Sequence, residues 1–300
     1  MRVVVQRGRV ERQRASALIT SANDALVGNL QPEYWRFVGR DNVDSAIRAT
    51  GGPDLEAACL NLPPRSDEVR RDCFRWEAAV KRGPSAVVRC PTGTAVATPA
   101  FGRLEADVVV HAVAPDVELA KGTYRGRSSY RVGACDHDRL PEELLRDAYA
   151  SAFVSAADAG ADTVVCPALG AGVKGWNNAV TAAFGLDAAA SMATSMATEQ
   201  ATLDEVAFVV GECDVVFGTW IRVATALLGP PGGTSGDGHL VWHIEPGAAA
   251  DDTGDVLPLV KVDEMKLPRT RWATAAFIGP GYITAKMQKK MRRRLLRLKF

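Results

Sequence analysis

The 300-residue sequence contains no C-x-x-C pair, and its six cysteines (59, 73, 90, 135, 166 and 213) show no metal-type pairing with its four histidines. That leaves no basis for a structural metal centre or a disulfide framework. Reduced thiols in an intracellular protein, cytoplasmic or nuclear, are the expectation. No apolar run approaches the roughly 18–20 residues that a membrane-spanning helix needs. The opening MRVVVQRGRVERQR has an apolar patch of only three valines, too short for a secretory signal. Its arginines leave a transit peptide open, but VVV followed by a polar turn reads more simply as a first strand. Acid is missing from one stretch: the last fifteen residues, KMQKKMRRRLLRLKF, hold eight Lys/Arg and no Asp or Glu, so the remainder carries 28 basic against 35 acidic groups. The body is mildly acidic and the tail strongly basic.

What is present suffices for a core, with 47% hydrophobic and 24% charged residues. Strand candidates are Val3–Val5, Ala17–Thr20, Asp107–Val113, Thr163–Pro167 and Val206–Val210. All are Val-, Ile- or Ala-rich without polar alternation, as in a sheet covered on both faces. In PEELLRDAYASAFVSAADAG, Pro141 suits a first helical turn, Leu144, Leu145, Ala148, Ala152 and Phe153 line one face, and Gly160 suits the C-terminal cap. Further helices are expected from about Asn177 to Ala197 and through DVVFGTWIRVATALL. Regular patterning stops at GPPGGTSGDG, residues 229–238. The expected organisation is an α/β chain, a three-layer α/β/α sandwich with a mixed, mostly parallel sheet over 1–228. A Gly/Pro linker (229–238) and a C-terminal extension (239–300) follow, the latter with strand-like pieces such as VWHIEPG. Residues 29–41 and 116–139 read as surface insertions.

Residues 170–175 spell GAGVKG, a literal G-x-G-x-x-G. A dinucleotide-binding turn should open the first strand–helix unit and be followed about twenty residues on by an acid for the ribose hydroxyls. This one lies past the middle of the chain, behind Pro167-Ala168-Leu169 and ahead of Trp176-Asn177-Asn178, where an asparagine is the better helix cap. The glycines therefore form a free-standing loop between strand and helix. Its unshielded backbone N–H groups beside a helix N-terminus favour a phosphate or diphosphate over an empty tight turn.

Four segments in order, across residues 1 to about 228, resemble the macrodomain family of ADP-ribose-binding α/β/α modules. ALITSAN with Asp24-Ala25-Leu26-Val27-Gly28 is similar to I-V-N-A-A-N-x-x-L-x-G. NVDSAIRATGGPDLEAAC (42–59) is similar to G-V-D-G-A-I-H-x-A-A-G-P-x-L-x-x-x-C. CPTGTAVATPAF with DVVVHAVAP, residues 90–115, is similar to C-P-T-G-x-A-x-x-T-P-G-F and its V-I-H-x-V-G-P strand. CPALGAGVKGW matches P-A-I-S-T-G-x-Y-G-Y. The chain departs at Thr20 for the first Asn of N-A-A-N, at Arg48 for the His, at Arg9 for an adenine-reading Asp, and at Lys174 for the loop aromatic. An insertion also replaces the glycine run before Val43-Asp44.

The resemblance implies roles for particular residues. Asn23 would hydrogen-bond a ribose hydroxyl, and Asp44 would hold or activate a water aimed at an ester between ADP-ribose and an acyl group. Gly170, Ala171, Gly172, Val173 and Gly175 would hold the diphosphate without metal or cofactor, with Lys174 adding a point charge. Phe217 would stack on adenine, and Ala22, Gly28 and Val43 would join the ligand surface. Other readings of these residues stay open: Asn23 as the cap of a strand–helix turn, Asp44 as an ordinary acid at a helix N-terminus, and Phe217 as core. Lys174 reads as a solvent-facing residue ahead of a catalytic one. His111 reads as a satisfied core histidine and Cys166 as packing. The implied function is hydrolysis of ADP-ribosyl esters, on acidic side chains or as O-acetyl-ADP-ribose, and the alternatives are a non-catalytic ADP-ribose reader or a scaffold. The partner that the resemblance implies is ADP-ribose or an ADP-ribosylated protein. In residues 286–300, Met287, Met291, Leu295 and Leu298 give a basic amphipathic helix. It reads either as a solvated or docked terminal helix, or as a nuclear-targeting, nucleic-acid-binding or acidic-surface-binding element.

Overall fold

A valine-rich strand with no polar alternation needs cover on both faces, and the β-strands of this protein obtain it from two helical layers. The computed structural model describes residues 1–27, 42–64, 88–115, 141–172, 174–196, 203–233 and 239–245, all within one compact unit, Met1–Leu257. The described strands are β1 (Arg2–Gln6), β2 (Ala17–Ser21), β3 (Ala95–Pro99), β4 (Val108–Ala112), β5 (Thr163–Pro167), β6 (Glu205–Val209) and β7 (Val241–Glu245). They form one sheet in the order β3-β4-β2-β5-β6-β1-β7. Every neighbouring pair is parallel except β3 and β4. The mixed, mostly parallel sheet expected from the sequence is thus present.

Helices α1 (Val43–Asn61), α2 (Pro141–Asp158), α3 (Asn178–Met196) and α4 (Asp214–Leu228) cover it. On one face α1 and a 3-10 turn, Val10–Arg12, seal a cluster of Val4, Val10, Leu18, Ile47, Leu55, Val109, Val165 and Val209. On the other, α2 packs on β3 and β4, α3 lies between α2 and α4, and α4 reaches β1. That layer holds a linked series of rings, Tyr149, Phe153, Phe208 and Trp220, in tilted and edge contacts.

The helix ends follow their residues. Asn42 caps α1 by accepting from Ser45 N at 2.9 Å, and Asn177 Oδ1 accepts from Ala179 N at 2.8 Å ahead of α3. Gly160 N donates to the Ala157 carbonyl with φ of 81°, ending α2 as its sequence predicts. Helix α1 is kinked: Gly52 has φ of 73° and ψ of −166°, and Pro53 restarts the helix behind it.

One strand is absent from the sequence-based set, and another, expected only as a strand-like piece of the extension, joins the sheet. AVATP is an edge strand with largely half-buried residues that ends in proline, a combination tolerated only at an edge. VWHIE follows the Gly/Pro stretch, yet it pairs with β1. The fully buried Trp242 anchors it, donating Nε1–H to the Gly229 carbonyl at 2.9 Å while its own carbonyl accepts from Gly232 N at 2.9 Å. The sheet therefore continues beyond residue 228. The 29–41 and 116–139 stretches and the 286–300 tail lie outside the described residues. Among those described, no helix is long and apolar enough to cross a membrane.

The ring layer leaves no room at Gly185 of α3: a Cβ there meets Phe208 Cε1 at 2.9 Å and Tyr149 ring atoms at 3.1 Å. Despite alanine's higher helix propensity, Gly185→Ala is expected to destabilise by about 1–3 kcal/mol through overpacking. Urea unfolding measures it; an unchanged or raised midpoint refutes the packing account.

Candidate functional site

Strands β1, β2, β4, β5 and β6 run parallel, so their carboxyl ends share one edge of the sheet, where open α/β sheets bind ligands. The segments singled out from the sequence follow those ends. Ala22 and Asn23 come after β2, the glycine loop after β5, Phe217 after β6, and Arg7 directly after β1.

The loop starts from a braced point. Leu169 N donates to the Tyr149 hydroxyl at 2.8 Å, and Thr181 donates its hydroxyl proton to the Leu169 carbonyl at 2.5 Å. Since that spends the one Thr181 proton, the 2.7 Å contact between Tyr149 and Thr181 has the phenol as donor. Burial pushes the Tyr149 pKa well above its ordinary value, so the phenol keeps its proton. The circuit ties the loop to α2 and α3 with both backbone groups of Leu169 satisfied.

At its far end the loop is held by Trp176, which is buried. Trp176 N donates to the Gly170 carbonyl at 3.0 Å and Nε1 donates to the Pro115 carbonyl at 2.8 Å. Gly170 has φ of 77°, and a Cβ there meets Trp176 Cδ1 at 2.6 Å, so only glycine fits. Gly172 and Gly175 are exposed, and nothing lies within 4 Å of a Cβ added to Gly172. Among the described residues, the Gly170 and Gly172 amides have no backbone acceptor, whereas Ala171 and Gly175 donate to the Ala168 and Gly172 carbonyls. Lys174 is half-buried, with Nζ on the Ala114 carbonyl at 2.6 Å, so its charge lies against the end of β4. Val173 lies outside the described residues.

Asp44, in the first turn of α1, is buried and engaged on both oxygens. Arg48 Nε donates to Oδ2 at 3.1 Å and Oδ1 at 3.3 Å, and Thr20, at the family-like position of an asparagine, donates to Oδ1 at 3.3 Å. Arg48 also pairs with Glu56 beyond the kink and donates to the Leu26 carbonyl at 3.0 Å. Burial pushes the Asp44 carboxyl above its ordinary value, against the pull of Arg48 and Thr20. Burial works to lower the Arg48 pKa, but Asp44, Cys59 and Glu56 carry it above its ordinary value, so the guanidinium stays charged.

Behind the pair, Cys59 Sγ lies 3.5 Å from His111 Nε2, which also bonds Thr98 Oγ1 at 2.9 Å. Burial, assisted by Arg48, lowers the His111 pKa to about 3. Burial raises Cys59 to about 11 against Arg48. Both are neutral near pH 7, and this is no thiolate–imidazolium nucleophile. Cys166 is buried with its thiol on the Pro167 carbonyl, and burial pushes its pKa well up, in keeping with packing. Among the described residues, no group of three or more His, Cys, Asp or Glu is placed to hold a metal.

Asn23 engages both amide atoms locally: Nδ2 donates to the Val27 carbonyl at 2.5 Å and Oδ1 accepts from Val27 N at 3.3 Å. It closes the turn whose Leu26 carbonyl receives Arg48, so Asn23 and Asp44 are joined through that guanidinium. Ala22 is buried beside Leu26 and Cys59, and Val43 packs on the core; Gly28 lies outside the described residues. Phe217 is buried with the Arg7 guanidinium 4.6 Å over its ring, and Arg7 also pairs with Asp214. One ring face is therefore covered by a cation. Arg9 pairs with Glu11 at 2.6 Å. Tyr149 and Thr181 carry no motif of their own, and Trp176 closes the CPALGAGVKGW segment without any local sign of what it fastens. Tyr149 does fall beside the predicted apolar stripe of α2, the one signal that could have marked it.

A family model described as Macro domain matches residues 21–184. A macro domain-containing protein of Streptomyces nogalater is 30% identical over 207 residues, covering 69% of this chain and 83% of its own. An O-acetyl-ADP-ribose deacetylase of Citrobacter rodentium is 28% identical over 183 residues, covering 61% and 80%. Among solved structures, the Oceanobacillus iheyensis macrodomain with ADP superposes with a TM-score of 0.50 at 18% identity, covering 74% of this chain and 88% of that one. That last likeness is one of fold.

Tyr149→Phe removes one acceptor and one donor from the Leu169 circuit. It is expected to cost about 1–3 kcal/mol in chemical denaturation and to leave the loop less protected in amide exchange. Unchanged protection at Leu169 and Gly170 disproves the bracing role. His111 sets a pH response. Its folded pKa of about 3 lies below the ordinary 6.5, so the unfolded state binds the extra proton between them. Stability should fall with acidification from about pH 6.5 to 3, by up to about 1.4 kcal/mol per unit, and His111→Asn should flatten that slope. Denaturation midpoints across the window, equal in slope for both proteins, would contradict this.

Proposed function

Because the chain belongs to the macro domain family, we propose that it is a binding module for the ADP-ribosyl group, taken as ADP-ribose or as an ADP-ribosylated protein. The observation that carries this reading is the braced glycine loop at the carboxyl edge of the sheet. Its start is locked by Tyr149 and Thr181 and its end by Trp176, while the Gly170 and Gly172 amides have no backbone acceptor among the described residues. Backbone amides held in that way suit a diphosphate, and preorganisation lowers the ordering cost of binding. Lys174, half-buried against Ala114, braces the loop in this reading and the amides supply the recognition.

Binding without turnover is favoured because both Asp44 oxygens accept from a buried guanidinium and the Asn23 amide is engaged on Val27 through both its nitrogen and its oxygen. A second reading, hydrolysis of an ADP-ribosyl ester, is favoured by the relative named O-acetyl-ADP-ribose deacetylase and by Asn23 and Asp44 standing at the expected motif positions. In that chemistry a water oxygen bonds to the ester carbonyl carbon and gives a proton to Asp44. The bond from that carbon to the ribose oxygen breaks, and the proton passes to that oxygen, leaving a carboxylic acid and ADP-ribose. Asn23 would position the ribose.

Calorimetry with ADP-ribose, paired with a turnover assay on O-acetyl-ADP-ribose, decides between these. Saturable heat is expected below millimolar ligand, with turnover no greater than that of Asp44→Ala. No heat at millimolar ADP-ribose overturns the binding reading. Turnover abolished by Asp44→Ala replaces it with the second.

A further inference from the structure

Position 48 lies one helical turn after Asp44, so the side chain there rests on that carboxylate. The family motif has histidine at this place, and a histidine directs only one ring N–H at a time toward a carboxylate. Arginine brings a planar fork of five donors. Here all three nitrogens are engaged: Nε on both oxygens of Asp44, one terminal nitrogen on Glu56, and the other on the Leu26 carbonyl at 3.0 Å. The Arg48 and Asp44 side chains are only 10% and 5% exposed, so water scarcely competes for the pair. A third donor, Thr20, occupies Oδ1 from the end of β2.

We infer that Arg48 is the positioning residue that keeps this site in its binding mode. It takes the two oxygens through which Asp44 would hold and deprotonate a water, and it ties Asp44 to the turn closed by Asn23. The inference rests on the binding reading above and goes beyond it. The base is present, and the residue at position 48 separates binding from turnover. Arg48 reaches the reaction only through Asp44, which makes it a positioning residue and not a catalytic one.

The test uses the full chain and three variants: Arg48→His, Arg48→Lys, and Arg48→His combined with Asp44→Asn. Wild type and Arg48→His are expected to bind ADP-ribose with comparable affinity in calorimetry. Arg48→His should hydrolyse O-acetyl-ADP-ribose with a kcat about tenfold or more above wild type, and adding Asp44→Asn should erase the gain. Arg48→Lys keeps a buried cation for Asp44 and Glu56, so it should fold even where histidine does not. Its single nitrogen cannot serve Asp44, Glu56 and the Leu26 carbonyl together as the three arginine nitrogens do, and a smaller rise in kcat is expected. A folded variant that binds ADP-ribose with unchanged kcat overturns this inference alone. So does a gain that survives Asp44→Asn. Failure of wild type to bind ADP-ribose overturns the binding reading and this inference together. If neither Arg48 variant folds, the arginine serves the fold and the inference is wrong.

Discussion

A guanidinium enclosed by protein must find an acceptor for its N–H groups, and the way Arg48 does so organises one side of this molecule. Its partners are Asp44 at the start of α1, Glu56 beyond the Gly52 kink, and the Leu26 carbonyl in the turn after β2. Removing one member of a buried pair of this kind typically costs about 3–5 kcal/mol, because the other charge is left unpaired. The kink brings the second half of α1 back within reach of the guanidinium. The Asn23 turn, the helix start and the sheet edge at Thr20 thus share one electrostatic centre. His111 and Cys59 lie next to it in neutral form, because burial and the nearby cation both disfavour the imidazolium.

The other side of the site is held by neutral hydrogen bonds. Tyr149, Thr181 and Leu169 form a closed circuit in which each proton has one acceptor, and Trp176 and Lys174 fasten the far end of the loop to the last carbonyls after β4. This division suits an anionic ligand. The loop is hydrogen-bonded at both ends and open toward solvent at Gly172, while its supports Tyr149, Thr181 and Trp176 are buried. The charged centre, by contrast, is closed on itself. In the proposed reading, the amides that would bind and the carboxylate that would react therefore differ in how free they are to meet a ligand, which is the physical ground for placing recognition ahead of turnover.

Much of the fold was legible because strands covered on both faces read as plain apolar runs and helices read by period and cap. Val3–Val5, Thr163–Pro167, Gly160 and the start of α3 are examples. AVATP and VWHIE were not assigned to the sheet. One is a half-buried edge that ends in proline, and the other takes its place from Trp242 bonding Gly229 across a turn-rich stretch. At the site, the positions of Asn23, Asp44 and the glycine loop were legible by motif, but their hydrogen-bond partners were not. Gly28 and Val173 fall outside the described residues.

Sequence by itself determined most of the strands and helices, and that a glycine loop stands between β5 and α3, since propensity, caps and periodicity act between near neighbours. Tertiary structure decided how those groups are spent. Leu169 meets Tyr149 twenty residues away, Lys174 meets Ala114 across sixty, and Arg48 reaches back 22 residues to the Leu26 carbonyl. A side chain's free donors and acceptors depend on what the folded sheet edge brings beside it. No local pattern carries that information.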